Sequence, residues 1–282
     1  MSRNGPRPYP SANPVAVNGA PLLLTLRAAE FIRRVEHGKS LPVLIRAEDE
    51  ADTLHDVVVK FGHHMELGGA GLVAEAIASM FGRDLGLSIP TPYLVRISQA
   101  FVSSGLQGAV ADDFLKAMPV TFGSELMTGS VVVTAAQLIA ISPDRAGDLF
   151  LFDMVIDNCD RRAKKPNCMV RGSRLIAIDH ELTLFFGTIG WRPPWEPEAL
   201  EIWKTGTPHL LFESVRGRQL DFARIEQALA GITNVRCDQY LAALPPEWMV
   251  EYRANANRMV DHIRQLVANR AAAIAEVRRI LQ

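Results

Sequence analysis

The spacing of apolar residues changes character near the middle of the chain. Leu41-Pro42-Val43-Leu44-Ile45 and Val57-Val58-Val59-Lys60-Phe61 are short, partly β-branched runs on either side of the polar stretch Glu48-Asp49-Glu50-Ala51-Asp52. That pattern predicts a β-hairpin with an acidic tip. Upstream, Leu23, Leu26, Phe31 and Val35 recur loosely, which fits a short helix, or a strand followed by a helix, over 22–36. After Gly68-Gly69-Ala70-Gly71, the residues Leu72, Ile77, Met80, Phe81 and Leu85 are spaced as on an amphipathic helix that ends at Gly86. Pro90 and Pro92 restart the chain as an extended segment through Tyr93 to Ile97, and Val120 to Leu126 makes a further strand. Beyond about residue 129 the helical period takes over, at 134–138, 148–158, 219–231 and much of 245–282, interrupted by an apolar strand at 175–179.

Composition narrows this picture. With 48% hydrophobic and 22% charged residues over 282 positions, the chain is of globular type, and only the first 20 residues, rich in Pro, Asn, Ser and Gly, read as a mobile tail. The net charge of −1 excludes a global basic field aimed at nucleic acid or an anionic membrane. Apolar runs long enough for a transmembrane helix are absent, and Pro6, Pro8, Pro10 and Pro14 stand where a signal peptide would need an apolar core. Cys159, Cys168 and Cys237 are odd in number and form no CxxC pair, so the expected compartment is the reducing cytoplasm. Of the 30 basic residues only six are lysines, which makes each lysine's position informative.

The chemistry is concentrated in one stretch. Asn158-Cys159-Asp160-Arg161 leads through Lys164-Lys165 to Pro166-Asn167, and the apolar strand that follows ends in Ile178-Asp179-His180. A polar loop with an Asp and an Asn, followed by a strand ending in a second Asp, suits phosphoryl transfer from a metal-bound nucleotide. That reaction needs a carboxylate to orient or deprotonate the acceptor hydroxyl, and oxygen ligands for a hard divalent cation.

These residues resemble the catalytic and metal-binding loops of the HipA-like kinases, in the compact branch whose motifs look like N-x-D-R, then N-P-N-L, then I-D-H. The resemblance runs from about residue 40 to about 190. It implies the fold shared by protein kinases and phosphoinositide kinases. This would be an α+β, two-lobed arrangement with a small antiparallel β-rich lobe carrying one helix over 21–128 and a mainly helical lobe over 129–282. It further implies Asp160 as catalytic base, Asn167 as a metal ligand and Asp179 as the main metal ligand, with ATP and Mg²⁺ or Mn²⁺ as cofactors. The implied reaction is γ-phosphoryl transfer to a hydroxyl, foremost Ser or Thr of a protein. Such kinases are often toxins restrained by a DNA-binding antitoxin, so an antitoxin-like protein is an implied partner class; the chain has no DNA-binding signature of its own. There is one departure: five residues after the candidate base, where the relatives carry Asn, stands Lys165.

The amino-terminal half offers an independent check. A kinase needs a strand lysine for the nucleotide phosphates and a helix glutamate to orient it; Lys60 and Glu75 stand in that order. Glu125 and Leu126 fall where similar kinases present backbone groups to adenine. Neither GxxxxGK[ST] nor GxGxxG occurs, and the Glu48–Asp52 turn, taken as the loop between the first two strands, would repel phosphates. Gly68–Gly71 is either a phosphate cradle at a helix start or a flexible loop. His63 and His64, if on a strand, point to opposite faces and make a poor metal pair. Trp191, Trp195 and Trp203 form an acceptor shelf or pack the helices. A small-molecule or lipid phosphotransferase, a pseudokinase and a scaffold without a nucleotide site remain open at this stage.

Overall fold

A computed structural model of the chain describes residues 21–35, 40–184, 190–205 and 209–282; the tail over 1–20 lies outside them. The chain is mixed α+β. Its first part holds strands β1 (Leu24–Arg34), β2 (Val43–Glu48) and β3 (Leu54–Lys60), helix α1 (Gly69–Asp84), strand β4 (Pro92–Arg96), helices α2 (Gln99–Ser103) and α3 (Gly108–Ala117), and strand β5 (Val120–Glu125). The second part holds strand β6 (Val131–Val132), helices α4 (Ala135–Leu138) and α5 (Pro143–Val155), strands β7 (Cys168–Arg171) and β8 (Arg174–Ala177), and helices α6 (Ile202–Thr205), α7 (Phe212–Val215), α8 (Ala223–Gly231), α9 (Asn234–Ala242), α10 (Pro246–Ala268) and α11 (Arg270–Leu281).

The first five strands close into a barrel in the order β1-β2-β3-β5-β4. Three corrections to the sequence reading follow. Residues 24–34 form one strand with no helix, because its polar residues face solvent and Leu26 points into the barrel. The barrel is not purely antiparallel, since β1 and β4 pair in parallel to close it. This region also has three helices where the sequence predicts one: α2, capped by the Ser98 side chain on the Phe101 N–H, and α3 were too short to show a period. Val43, Ile45, Val57, Val59, Tyr93 and Val95 fill the barrel with Phe61, Phe101 and Phe114 at one end.

Because β1 is a strand, the Glu48–Asp52 turn joins the second and third strands. It lies about 20 Å along β3 from Lys60, given about 3.3 Å per residue. Asp49 closes that turn by accepting the N–H groups of Ala51 and Thr53, each at 2.9 Å. The end of β1 and the start of β2 instead lie at the Lys60 end, where Arg34 pairs with Val43 and Val43 with Val59.

Helix α1 is buried at every position from Gly71 to Gly82, as expected of a helix apolar nearly all round. It lies between the outside of the barrel and the helical part, packing with Leu94 and Phe122 on one side and Phe152 and Tyr240 on another. The glycines at its start serve that packing. A Cβ at Gly69 would come within 2.4 Å of the Tyr252 ring on α10, and one at Gly71 within 2.9 Å of Met65 Sδ. At Gly68 a Cβ would meet open space, but its φ of 59° is one that glycine adopts most readily.

Candidate active site

Glu75 is the lone carboxylate among the buried residues of α1. A carboxylate taken out of water needs a cation, and Lys60 Nζ, at the end of β3, meets its Oε1. The same ammonium bonds Asp179 Oδ1 at 2.7 Å, bringing residue 60 to residue 179. Burial works against the Lys60 charge, yet Asp179 and Glu75 together raise its pKa above the ordinary lysine value. Burial likewise opposes ionisation of Asp179, and Lys60 outweighs it, holding that carboxyl down at about 2. Glu75 also accepts the backbone N–H of His180 at 3.0 Å, which ties α1 to the segment carrying Asp179.

Asp160 sits on the loop after α5. Its Oδ2 accepts from the Lys165 ammonium and, at 3.0 Å, from Asn167 Nδ2. Lys165 Nζ is in turn 3.8 Å from Asp179 Oδ2, so it stands between the candidate base and the candidate metal ligand. Asn167 and Asp179 both hold left-handed backbone conformations, with φ of 45° and 63°. Asn and Asp tolerate that region best among side chains with a Cβ, and such strain is characteristic of functional loops.

The loop is held from below by a cluster the sequence reading missed. Arg161, fully buried, bonds Asp153 of α5 through both Nε and Nη2, and reaches the carbonyls of Asn167 and Ile178. Asp153 also accepts Asn158 Nδ2 at 2.7 Å and faces His209 Nε2 at 2.9 Å. Burial opposes the Asp153 charge, and Arg161 and His209 more than compensate, driving its pKa far below the usual carboxylate range. Arg161 is thus engaged with Asp153 and not with its neighbour Asp160. A single Asp in the apolar run Leu149-Phe150-Leu151-Phe152-Asp153-Met154 was the available signal, since a carboxylate there must find a buried cation.

Glu181 also escaped the sequence reading. It is buried beside Asp179, and its Oε2 has no hydrogen-bond partner. Burial first, then the Asp179 charge, push its pKa up. Among the described residues, Lys60 and Lys165 share this centre with the carboxyl groups of Glu75, Asp160, Asp179 and Glu181. Burial pushes Glu75 up to about 7, and Lys60 pulls against that shift; the gathered carboxyl oxygens are of the kind a hard divalent cation takes as ligands.

Glu125 and Leu126, where the adenine contact is expected, have their backbone N–H groups engaged within the protein. Glu125 N–H is bonded to Thr91 O at 2.9 Å and Leu126 N–H to Asp56 O at 3.0 Å, so neither is open to a base. The tryptophans pack against buried histidines: Trp191 and Trp195 have ring centroids 5.8 and 5.2 Å from His262, and Trp203 lies 6.4 Å from His209.

Comparison with known proteins adds an independent finding. The family model of the HipA-like kinases matches residues 28–273. Among solved structures, the chain resembles the Helicobacter pylori proinflammatory kinase CtkA, with 10% identity, a TM-score of 0.47, and coverage of 90% of this chain and 99% of that one. No curated protein matches.

Proposed function

The chain belongs to the HipA-like kinase family, and from that premise we propose that it transfers the γ-phosphoryl group of ATP to a hydroxyl, foremost a Ser or Thr of a protein, with Mg²⁺ or Mn²⁺. The β-rich and helical parts act as two lobes that meet near residue 128, with the nucleotide between them. The observation that carries this reading is the convergence of Lys60, Glu75 and Asp179 with Asp160 and Asn167, from elements as far apart as 119 residues in sequence. Asp179 and Asn167 would hold the metal, and Glu181, with its unpartnered buried oxygen, joins them. Bound there, the cation neutralises charge on the phosphate oxygens.

Each residue then has a task. Lys60, fixed by Glu75, holds nucleotide phosphates. Asp160 receives the proton of the acceptor hydroxyl as its oxygen bonds to the γ-phosphorus and the β,γ-bridging bond breaks, releasing ADP. Arg161 and Asp153 keep the loop backbone in place. Lys165 must release Asp160 before the transfer; its side chain is 34% exposed and free on one side to follow a phosphate.

A second reading, a nucleotide-binding pseudokinase, is favoured by the same ion pair, since Lys165 occupies Asp160 at the position where relatives carry Asn. Incubation with γ-labelled ATP and Mg²⁺ or Mn²⁺ separates the two, following label in the chain, in added Ser/Thr-containing proteins and as free phosphate. Metal-dependent transfer that falls by about 10²–10⁴ in Asp160→Asn, with ATP binding retained, supports the kinase. Full activity in Asp160→Asn sinks the base assignment. ATP binding without turnover, with turnover appearing in Lys165→Asn, establishes the pseudokinase.

A further inference from the structure

A second cluster lies just past Lys60, on the side of the barrel capped by α3. The chain leaves β3 through Phe61 into a single 3₁₀ turn, Gly62–His64. On a strand the two adjacent histidines would diverge. The tight turn brings their rings to 4.2 Å between centroids. His63 Nε2 lies 3.0 Å and His64 Nε2 2.7 Å from the same oxygen, Oδ1 of Asp113 on α3.

Four features make this arrangement a ligand set. The two imidazole nitrogens and the carboxylate oxygen lie within 4.8 Å of one another. Tetrahedral coordination with metal–ligand bonds of about 2.0–2.2 Å separates donors by roughly 3.3–3.5 Å, so the nitrogens need only open from Oδ1 by about half an ångström. The carboxylate is fixed in the manner of a metal ligand, because Asp113 is buried and Arg34 Nη2 takes its other oxygen at 2.6 Å. The ring of Phe61 stacks under His63 at 5.6 Å and meets His64 edge-on, and Phe114 closes on Phe61 at 5.1 Å. Each histidine side chain is a quarter exposed, which leaves a face of the cluster open to water.

We propose that His63, His64 and Asp113 form a second divalent-cation site, one that takes Zn²⁺ with water in the fourth position. Two imidazoles and one carboxylate suit a borderline cation such as Zn²⁺, whereas Mg²⁺ and Ca²⁺ seek all-oxygen sites. The site is distinct from the phosphoryl-transfer centre in its residues and in its donor chemistry. It staples the turn after the Lys60 strand to α3 and braces that strand end.

The test uses the full chain, stripped of metal and then dialysed against Zn²⁺ in millimolar Mg²⁺, which fills the oxygen-rich centre. One Zn²⁺ retained per chain, kept in Asp179→Ala and lost in the double variant His63→Gln/His64→Gln, supports the site. A rise in Tm of roughly 5 °C at a hundredfold excess over Kd accompanies it. Failure of the wild-type chain to retain Zn²⁺, or loss of retention in Asp179→Ala, overturns it. Glutamine keeps a donor toward Asp113, so the variant should fold. If it does not, Co²⁺ added to the wild-type chain decides, an intense visible spectrum of tetrahedral type supporting the site and the weak spectrum of hydrated Co²⁺ refuting it.

Discussion

Two charged clusters meet at the loop around Asp160, and they differ in how completely they are paired. In the lower one, Asp153 and Arg161 are both fully buried, and the carboxylate is matched by the guanidinium, Asn158 and His209. In the upper one, two lysines face four carboxylates, Lys165 is one-third exposed, and a buried oxygen of Glu181 goes without a partner. A closed, neutral set of buried charges tolerates no loss, because removing one partner strands the other in low dielectric. An open, acidic set can lose a carboxylate cheaply and is poised to gain a cation. Both clusters are close-packed, and of the two it is the one with an unpartnered carboxyl oxygen that is built to take a cation.

The sharpest way to break this comparison is to remove Asp153. Asp153→Ala leaves Arg161 buried without its carboxylate, a loss of about 3–5 kcal/mol. Denaturant unfolding should show it as a lower midpoint at unchanged slope. A drop of less than about 1 kcal/mol would mean that water or rearrangement satisfies Arg161, and that the lower cluster is not closed.

The next effect is one of pH. Burial holds the His209 pKa below the ordinary 6.5, against the pull of Asp153. A histidine kept neutral when folded takes up its proton more readily when unfolded, so the stability tied to it is present above about pH 6.5 and is lost as pH falls below that value. The slope is about 1.4 kcal/mol per pH unit for one such group. His209→Gln should flatten the stability–pH curve below pH 6.5 by up to that amount. An unchanged slope would show that His209 titrates alike in both states.

How far these clusters were legible in the sequence follows from the same physics. Asp160, Asn167 and Asp179 could be singled out because their loop resembles the N-x-D-R, N-P-N-L and I-D-H motifs of the family, Lys60 because it is a lysine at the end of a β-branched run, and α1 and the β2–β3 hairpin carry strong periods. The position of Glu75 could be read for the same reason, since a lone acid on an apolar helix demands a cation. Strand β1 could not, because Arg27, Glu30, Arg33 and Arg34 break its alternation and Leu26 is the one residue of the strand that is buried. His209 reaches Asp153 from 56 residues away with no local pattern to announce it. His63 and His64 were misjudged because a strand was assumed where a 3₁₀ turn places both rings on one side.

Asp179→Ala gives the counterpart of the first experiment on the acidic side. It leaves Lys60 still paired with Glu75 and lowers the negative surplus, so stability without metal should change by no more than about 1 kcal/mol. The thermal shift produced by ATP with Mg²⁺ or Mn²⁺ should vanish. Retention of a full shift would remove Asp179 from the metal site, and a loss of stability comparable to that of Asp153→Ala would erase the distinction between the clusters.

The smallest effect is the most specific. Glu181 adds a fourth carboxylate to a centre with two cations, and one of its oxygens is buried without a hydrogen bond. Without a metal that charge is a net cost, because its desolvation and the repulsion of Asp179 outweigh the pull of Lys60 and Lys165. Glu181→Gln removes the charge and keeps the shape, so the metal-free chain should gain up to about 1 kcal/mol, seen as a slightly higher Tm. The same substitution should weaken Mg²⁺ or Mn²⁺, moving the midpoint of a metal titration of the ATP-dependent shift upward. The two changes must run in opposite directions if the surplus exists to hold a cation. A variant that is less stable and binds metal as before would make Glu181 a structural residue, and would leave Asp179 and Asn167 to hold the ion without it.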